Sequence, residues 1–460
     1  MTTATYHFSQ ALLPEGWAEN VRVTSDAEGF ITSVEHNANA AGAHAFPGAA
    51  LPALANVHSH AHQRAITGLT ERAGLGDDSF WTWREAMYRF LGAMTPEDLQ
   101  AIAAQAYVEM LKAGFTCVGE FQYLHNCIDG SHYDTKAEMS LACLAAAREV
   151  DIGFTALPVL YAYGGFGAQD PVDGQKRFIH SAESFLEVAA HMVTTTADAP
   201  HENAGIAPHS LRAVDKPLLE EVLTGLNAMS TNAPVHIHIA EQVKEVEDCI
   251  AWCGKRPVEH WLETYDVNAR WCAIHATHMS DAETEGLARS GAVAGLCPTT
   301  EANLGDGIFP AKTFTTANGA VAIGSDSHIT ISPADDLRIL EYSQRLRDRA
   351  RNVLADGPGA STGRSLYDRA ARGGAQAMGL KTGQLAEGML ADIIVLDDTH
   401  PALVARSGDD IIDSWIFFGG DACVRDVISH GKHVVQDRHH AHEEKILARF
   451  RETVSRLQDA

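Results

Sequence analysis

Residues 51–65 read LPALANVHSHAHQRA, an apolar, strand-like run that ends in three histidines at alternate positions. Side chains two residues apart in an extended segment point the same way, so His58 and His60 can bind one metal ion together. His62, the third histidine, is left out of the predicted ligand set. A metal centre at the end of a strand is therefore the first functional prediction from this sequence.

Short apolar runs of this kind recur along the chain, and most are separated by helical-looking stretches. The eight runs read GAALPALANVH, FTCVGEF, DIGFTALPVLYAY, AGIAPHS, PVHIHIAE, WCAIHATH, GAVAGLCP and GAVAIGSDSH. Strands that alternate with helices favour the α/β class and a (β/α)8, TIM-like barrel. A doubly wound open sheet is the main competitor, but no G-x-G-x-x-G follows the first strand, which weakens its dinucleotide-binding version.

One helix between these runs has clear end signals, in the segment MTPEDLQAIAAQAYVEMLKAG. Thr95 is a suitable N-cap, Pro96 suits the first turn, and Gly114 follows the end. The apolar side chains recur at helical spacing, at Leu99, Ile102, Ala106 and Met110. We therefore predict a helix directly before the second strand of the barrel.

The two ends of the chain differ from this alternating middle. Residues 1–50 contain short alternating segments that predict a small antiparallel β structure. Residues 380–440 again favour strands, in GQLAEGMLADIIVLDD, DSWIFFGGD and VRDVISHGKHVVQD. We predict that these two portions pair as one small β domain beside a barrel formed by residues 51–379. Residues 441–460 form an amphipathic helix that docks on the body or on a partner subunit.

Composition and charge exclude several classes of partner. The chain of 460 residues has a formal net charge of -25, so we expect no nucleic-acid partner and no anionic membrane surface. The start of the sequence lacks a secretory signal pattern, and no apolar run is long enough to span a bilayer. The eight cysteines are scattered, which is typical of a reducing compartment. We expect a cytoplasmic protein that forms a homodimer.

The ends of four predicted strands carry metal-binding or acid–base side chains, and in such barrels the active site lies at those ends. They are His58 and His60 on strand 1, His236, His238 and Glu241 on strand 5, His275 and His278 on strand 6, and Asp326 on strand 8. Imidazole nitrogens with one carboxylate suit zinc, with iron or manganese as alternatives. A coordination position left for water would make the site catalytic, because the metal lowers the pKa of water towards about 7.

This pattern of H-x-H, H-x-x-E, His and Asp on strands 1, 5, 6 and 8 resembles the amidohydrolase superfamily. The resemblance covers essentially the whole chain and includes GQLAEGMLADIIVLD, with which many members resume their small β domain. Binuclear members use a lysine on strand 4, and the strand 4 candidate NAGIAPHSLRAV contains none, so the resemblance implies one divalent metal ion per chain, as in mononuclear deaminases. The ligands it implies are His58, His60, His238 and Asp326.

The resemblance also implies catalytic roles. Glu241 would shuttle protons to the leaving nitrogen, and His275 would polarise or orient the attacking water. Asp326 would accept the proton of that water in addition to binding the metal. These roles meet a general need of hydrolytic deamination, since water must lose protons and ammonia must gain them.

Four further stretches resemble members of the superfamily that convert N-formimino-L-glutamate to N-formyl-L-glutamate and ammonia. They are VHSHAHQRAITGLTERAG, FWTWREAMYRF, GEFQYLHN and APHSLRAV. Such a substrate is a dicarboxylate with an amidine, and in an acidic protein its carboxylates need local cations. The substrate-binding residues that this resemblance implies are Arg84 and Arg212 for the carboxylates, with Gln63, Tyr123 and His209 as neutral hydrogen-bonding groups.

Two other functions stay open from the sequence. Another mononuclear deaminase, acting on guanine or a related heterocycle, would favour aromatic stacking and amide contacts over paired arginines. A non-catalytic relative retained as an assembly protein would be expected to lose ligands, whereas this sequence keeps every one. Bound metal and ammonia release distinguish these possibilities.

Overall fold

The computed structural model describes residues 3–69, 71, 87 and 90–458. These residues form a barrel of parallel strands with helices between them, together with an eight-stranded sheet built from both ends of the chain. The predicted α/β class, with a TIM-like barrel and a small β domain, is confirmed. Among the described residues, we find no helix with the length and apolar character needed to cross a membrane.

The first four strands belong to the small sheet: β1 (Ala4–Leu13), β2 (Gly16–Ser25), β3 (Ile31–Glu35) and β4 (His44–Pro52). The predicted antiparallel pairing is confirmed for β1 with β2 and for β2 with β3, and it is wrong for β4, which pairs parallel with β1. The chain leaves this sheet after Pro52 and starts the first barrel strand at Leu54. The run GAALPALANVH is therefore two strands, and it is continuously apolar because its residues are buried in both sheets.

The barrel has eight strand positions, and the pairings between them are parallel. The fourth position is shared by two short strands that both pair with the third. A bridge between Ile206 and Val235 and the pairing of Ile323 with Asn56 close the ring. The strands are β5 (Leu54–Ser59), β6 (Phe115–Gln122), β7 (Gly153–Leu160), β8 (Glu202–Ala204), β9 (Ala207–Pro208), β10 (Val235–Ile239), β11 (Trp271–His275), β12 (Val293–Leu296) and β13 (Ala320–Ile323).

Helices connect the barrel strands and continue beyond them. The predicted first helix is confirmed: Thr95 caps it by accepting from the Asp98 amide, and Gly114 ends it in the left-handed conformation at φ 108°. The helices are α1 (Pro96–Ala113), α2 (Glu138–Val150), α3 (Ala182–Thr196), α4 (Lys216–Met229), α5 (Val243–Cys253), α6 (Pro257–Thr264), α7 (Asp281–Ser290), α8 (Pro298–Leu304), α9 (Ala311–Thr316), α10 (Pro333–Asp348), α11 (Thr362–Met378), α12 (Asp409–Ser414) and α13 (Glu443–Gln458). Short 3-10 turns span Ala61–Ile66, Asp173–Gln175 and Gly420–Cys423.

The chain returns to the small sheet after the barrel. Its last strands are β14 (Ile393–Leu396), β15 (Val424–Ser429), β16 (Lys432–Gln436) and β17 (His439–His440). β14 pairs antiparallel with β4, which joins the two ends of the chain in the order β17-β16-β15-β14-β4-β1-β2-β3. The small sheet therefore ties the entry and the exit of the barrel together.

The segment DSWIFFGGD, which favoured a strand in the sequence, is helical. It continues α12 through a π-helical turn at Trp415–Gly419 and into a 3-10 turn. Trp415 and Ile416 are buried, whereas Phe418 is 80% exposed. The apolar run covers one side of a helical turn, and its composition alone could not distinguish this arrangement from a buried strand.

The carboxyl-terminal helix docks on the body of the protein. α13 packs against α1, and Arg456 of α13 forms an ion pair with Asp98 of α1. The side chains of Ile446 and Leu457 are buried on the docked face. Because α1 leads directly into β6, this contact also supports the position of β6 in the barrel.

Candidate active site

Four predicted metal ligands converge where β5, β10 and β13 end. His58 Nε2 lies 3.0 Å from His238 Nε2 and 3.6 Å from Asp326 Oδ1. His60 Nε2 lies 3.5 Å from the same Asp326 oxygen. All four side chains are buried. Three imidazole nitrogens and a carboxylate oxygen therefore face one small volume at the mouth of the barrel.

The hydrogen bonds of two of these histidines direct their remaining ring nitrogens inward. His60 Nδ1 donates to the Phe121 carbonyl at 2.9 Å, and His238 Nδ1 donates to the His209 carbonyl at 3.1 Å. Since each neutral imidazole carries one N–H, each Nε2 keeps a free lone pair. Burial holds the pKa values of His58 and His238 well below the usual range, and it lowers that of His60 to about 3. Buried neutral imidazoles in this arrangement fit a divalent cation.

His275 differs from these three histidines because it is surrounded by carboxylates. Its Nδ1 lies 3.3 Å from Glu301 Oε1, and its Nε2 lies 3.9 Å from Glu241 and 3.8 Å from Asp326. Burial lowers the pKa of His275, but Glu241, Glu301 and Asp326 together outweigh burial and raise it to about 10. His275 is therefore a proton donor beside the four predicted metal ligands.

The backbone at the mouth is held in unusual conformations. Ala240, His275, Ala276 and Asp326 have φ between 48° and 68°, in the left-handed region that non-glycine residues seldom adopt. Gly324 allows the end of β13 to approach β5 closely, because a Cβ there would lie 2.7 Å from the backbone nitrogen of His58. Positive-φ residues of this kind cluster at functional sites, where the surrounding structure must hold them in place.

A cavity opens beside the cluster. It is lined by four of the five predicted substrate-binding residues, Gln63, Tyr123, His209 and Arg212. The fifth, Arg84, lies outside the described residues. The Tyr123 hydroxyl accepts from the Gln63 amide at 3.2 Å and lies 2.8 Å from His62 Nε2. His62, which the sequence left out of the ligand set, thus contacts the pocket wall.

Two strand-end histidines from the sequence do not join the cluster. His236 Nε2 donates to the Ala377 carbonyl at 2.8 Å, at the end of α11. His278 Nε2 donates to the Asp306 carbonyl at 2.8 Å. Both rings are held by backbone carbonyls, so we assign them structural roles.

Sequence reasoning missed several residues of this site. Glu301 contacts His275, and Tyr161 and Phe178 line the cavity. Asp306, whose carboxylate accepts from Gln242, has its pKa raised to about 8 by burial and by Glu241. These residues lie in loops or a short helix after strands, and a carboxylate or aromatic side chain there carries no motif. Only Tyr161 directly follows a strand, so position at a strand end was a signal for that residue alone.

Family models match nearly the whole chain. The model of the amidohydrolase family matches residues 49–434, which span the barrel and much of the small sheet. The model described as the formimidoylglutamate deiminase HutF N-terminal domain matches residues 3–45. The two matches follow one another along the chain.

Individual relatives agree with these matches. A formimidoylglutamate deiminase of Pseudomonas aeruginosa is 50% identical over 450 residues, 98% of each chain. A 5-methylthioadenosine/S-adenosylhomocysteine deaminase of Natronomonas pharaonis is 27% identical and covers 95% of this chain and 94% of its own. The crystal structure of an amidohydrolase from Brucella melitensis, 48% identical, superposes with a TM-score of 0.93 over 99% of this chain and 100% of its own.

Proposed function

The chain belongs to the amidohydrolase family, and we propose that it hydrolyses N-formimino-L-glutamate to N-formyl-L-glutamate and ammonia. It is a hydrolase of carbon–nitrogen bonds, as its family and its 50% identity to a formimidoylglutamate deiminase show. The observation that carries the proposal is one cavity that joins the histidine–aspartate cluster to Arg212, Gln63 and Tyr123. Such a cavity offers hydrolytic groups at one side and groups for a polar, anionic substrate at the other.

The proposed cofactor is one divalent ion per chain, held by His58, His60, His238 and Asp326. Nitrogen ligands with one carboxylate favour zinc, with iron or manganese as alternatives. When bound, such an ion supplies Lewis-acid chemistry that makes water a better nucleophile near neutral pH. The inward Nε2 lone pairs and the buried Asp326 carboxylate support this assignment.

The acid–base roles follow from the positions of three side chains. His275, with a pKa raised to about 10 by its three carboxylate neighbours, donates a hydrogen bond that orients the attacking water. Asp326 accepts a proton of that water, because its Oδ1 faces the predicted ligands His58 and His60 while its Oδ2 lies 3.8 Å from His275 Nε2, on the side of the acid–base groups. Glu241 carries protons to the leaving amidine nitrogen. It faces the same cavity as His275 and Asp326, so the transfers remain within one site.

Arg212 is the proposed partner of a substrate carboxylate. It lies in the loop after β9 and lines the cavity. Because the formal net charge of the protein is -25, an anionic substrate is repelled at long range and needs a local cation to bind. The buried carboxylate of Glu245 accepts from the Ala240 and Glu241 amides at 3.2 Å each, and Arg212 lowers the pKa that burial raises. The Arg212 guanidinium therefore interacts electrostatically with the buried Glu245 carboxylate at the wall of the cavity. Arg84 stays the proposed partner of the second carboxylate on sequence grounds.

Ammonia release is the test of this function. The zinc-loaded protein is assayed at equal concentrations of N-formimino-L-glutamate, guanine and an adenosine derivative. We expect release from N-formimino-L-glutamate far above the other two. Faster turnover of guanine or the adenosine derivative would replace the proposal with that of a heterocycle deaminase, and absence of turnover with bound metal would favour a non-catalytic relative.

We further propose a cytoplasmic homodimer. All eight cysteines are free thiols, which supports a reducing compartment. Light scattering of the purified protein tests the dimer, since a mass of 49.5 kDa in solution would indicate a monomer.

A further inference from the structure

A line of buried polar side chains lies directly behind the histidine–aspartate cluster. It runs from Asn56 through Ser325, His328 and Ser59 to Glu120, and each of these residues is at most 1% exposed. Buried polar groups are unfavourable unless each donor meets an acceptor, so an extended line of them requires a physical reason.

The hydrogen bonds of this line have one direction. Asn56 Nδ2 donates to Ser325 Oγ at 2.6 Å, and Ser325 Oγ lies 2.9 Å from His328 Nδ1. His328 Nε2 lies 3.1 Å from Ser59 Oγ. The single hydroxyl proton of Ser59 is donated to Glu120, so Ser59 Oγ accepts from His328 Nε2. With its proton on Nε2, the His328 ring can accept the Ser325 hydroxyl at Nδ1.

Glu120 ends the line as its acceptor. Its Oε2 accepts from Ser59 Oγ at 2.6 Å and from Tyr107 Oη at 3.0 Å, while Oε1 accepts from the Ala61 amide at 2.8 Å. Glu120 thus accepts three hydrogen bonds, and all three donors in these contacts are neutral groups. Since Tyr107 lies on α1, Glu120 connects the helix to the turn after β5.

The line holds the backbone on either side of the ligands. Ser59 lies between His58 and His60, and Ala61 follows His60 directly. Ser325 precedes Asp326, and both Asp326 (φ 49°) and His328 (φ 59°) are left-handed. Backbone bonds complete the junction, from the Asp326 amide to the His58 carbonyl at 2.9 Å and from the His60 amide to the Asp326 carbonyl at 3.1 Å.

The geometry points to Glu120 as a positioning residue for the metal centre: it anchors the Ser59–His328–Ser325–Asn56 line and so sets the spacing of His58 and His60 relative to Asp326. This inference rests on the proposed metal centre. Outer contacts that orient metal ligands contribute about 10- to 100-fold to metal affinity. Packing alone would be served as well by an apolar side chain in place of a buried carboxylate.

Glu120→Gln tests the inference because it keeps the shape and changes one acceptor into a donor. In either orientation of the amide, its N–H groups face the Ala61 amide or the two hydroxyls. We expect zinc affinity, measured by competition with a chelator, to fall about 10- to 100-fold. Thermal unfolding of the metal-free protein is recorded in parallel to measure the general loss of stability.

Glu341→Gln is the matched control. Glu341 is also fully buried and accepts three hydrogen bonds, from the Val353 and Leu354 amides at 2.8 and 3.0 Å and from Arg345 at 2.7 Å. It lies on α10, away from the line that ends at Glu120. We expect this variant to lose thermal stability and to keep the zinc affinity of the parent.

The outcomes separate the two proposals. Parental zinc affinity in Glu120→Gln, or an equal loss in both variants, overturns the positioning role while leaving the metal centre intact. A parent protein that binds no zinc overturns the metal centre and this inference with it. Where Glu120→Gln does not fold, Ser59→Ala replaces it under the same criteria, because Ser59 joins Glu120 to His328.

Discussion

The barrel mouth and the small β sheet each contain a buried aspartate, and the pKa values of the two carboxyls are shifted in opposite directions. At the mouth, Asp326 has histidine nitrogens at 3.5, 3.6 and 3.8 Å, and burial raises the pKa of its carboxyl to about 7. In the small sheet, burial also raises the pKa of Asp426, but hydrogen bonds from His433 and Arg425, at 3.0 and 2.7 Å, outweigh it and lower the value to about 2.

The difference separates a functional acceptor from a structural one. Asp426 is satisfied by neighbours on its own sheet, including the Asp437 amide at 3.1 Å, so it stabilises the fold by itself. Asp326 faces nitrogens of His58, His60 and His275 that are all beyond good hydrogen-bonding distance, and its left-handed backbone adds strain. This arrangement supports the proposed divalent ion at the mouth, whereas Asp426 already has its hydrogen-bond partners within the small sheet.

The largest expected effect concerns Glu241, the proposed proton carrier at the barrel mouth. Glu241→Gln should lose at least about 10²-fold in kcat while keeping its metal and fold, because a positioned proton-transfer group is worth about 10²- to 10⁴-fold. Steady-state kinetics, metal analysis and circular dichroism measure this. Glu247→Gln, on the exposed side of α5, is the control and should match the parent. Full activity, or loss of metal, in Glu241→Gln would show that its role is different.

The second prediction extends the comparison to substrate charge. Arg212→Met should lose about 2–5 kcal/mol in kcat/KM for N-formimino-L-glutamate, because a substrate carboxylate is left buried without its cation. Arg289→Met, at an exposed ion pair on α7, should behave as the parent. Arg84→Met tests the sequence prediction independently. Parental kcat/KM in both Arg212→Met and Arg84→Met would exclude the proposed dicarboxylate site.

Metal removal sharpens the comparison through stability. Zinc at 100 to 1,000 times its Kd should stabilise the folded protein by about 2.7–4.1 kcal/mol, since it binds the assembled mouth and not the unfolded chain. Thermal unfolding with and without a chelator measures this difference. An unchanged unfolding temperature after verified removal of the metal would contradict it.

The smallest expected effect tests the small sheet by pH. The folded-state pKa of Asp426, about 2, is below its unfolded value of 3.8, so its stabilisation is present above pH 4 and is lost as the pH falls towards 2. Asp426→Asn should therefore lose up to about 2 kcal/mol of unfolding free energy at pH 7, and its difference from the parent should shrink between pH 4 and pH 2. Denaturant titrations at these pH values measure it. Asp398→Asn, at an exposed position, should show no such trend.

Local patterns account for what could be predicted from the sequence. Alternating apolar runs and helix signals such as Thr95 and Gly114 depend on neighbours along the chain, so they predicted the barrel and its first helix. The division of residues 48–58 between two sheets and the helical turn at Trp415 depend on which surfaces bury the apolar side chains, and the same composition allows either outcome. Glu120 and Glu301 were missed because a single buried carboxylate has no sequence pattern.

The sequence by itself determined which side chains could form the centre, and the tertiary structure decided which of them meet. His236 and His238 point the same way on β10, but two residues of strand separate their levels by about 7 Å, so only His238 reaches the mouth while His236 bonds the Ala377 carbonyl. His58 and His60 have the same spacing and converge to a ring distance of 4.5 Å, because β5 ends at Ser59 and the chain turns. Direction follows from the pattern of a strand, whereas depth depends on where the strand ends in the folded barrel.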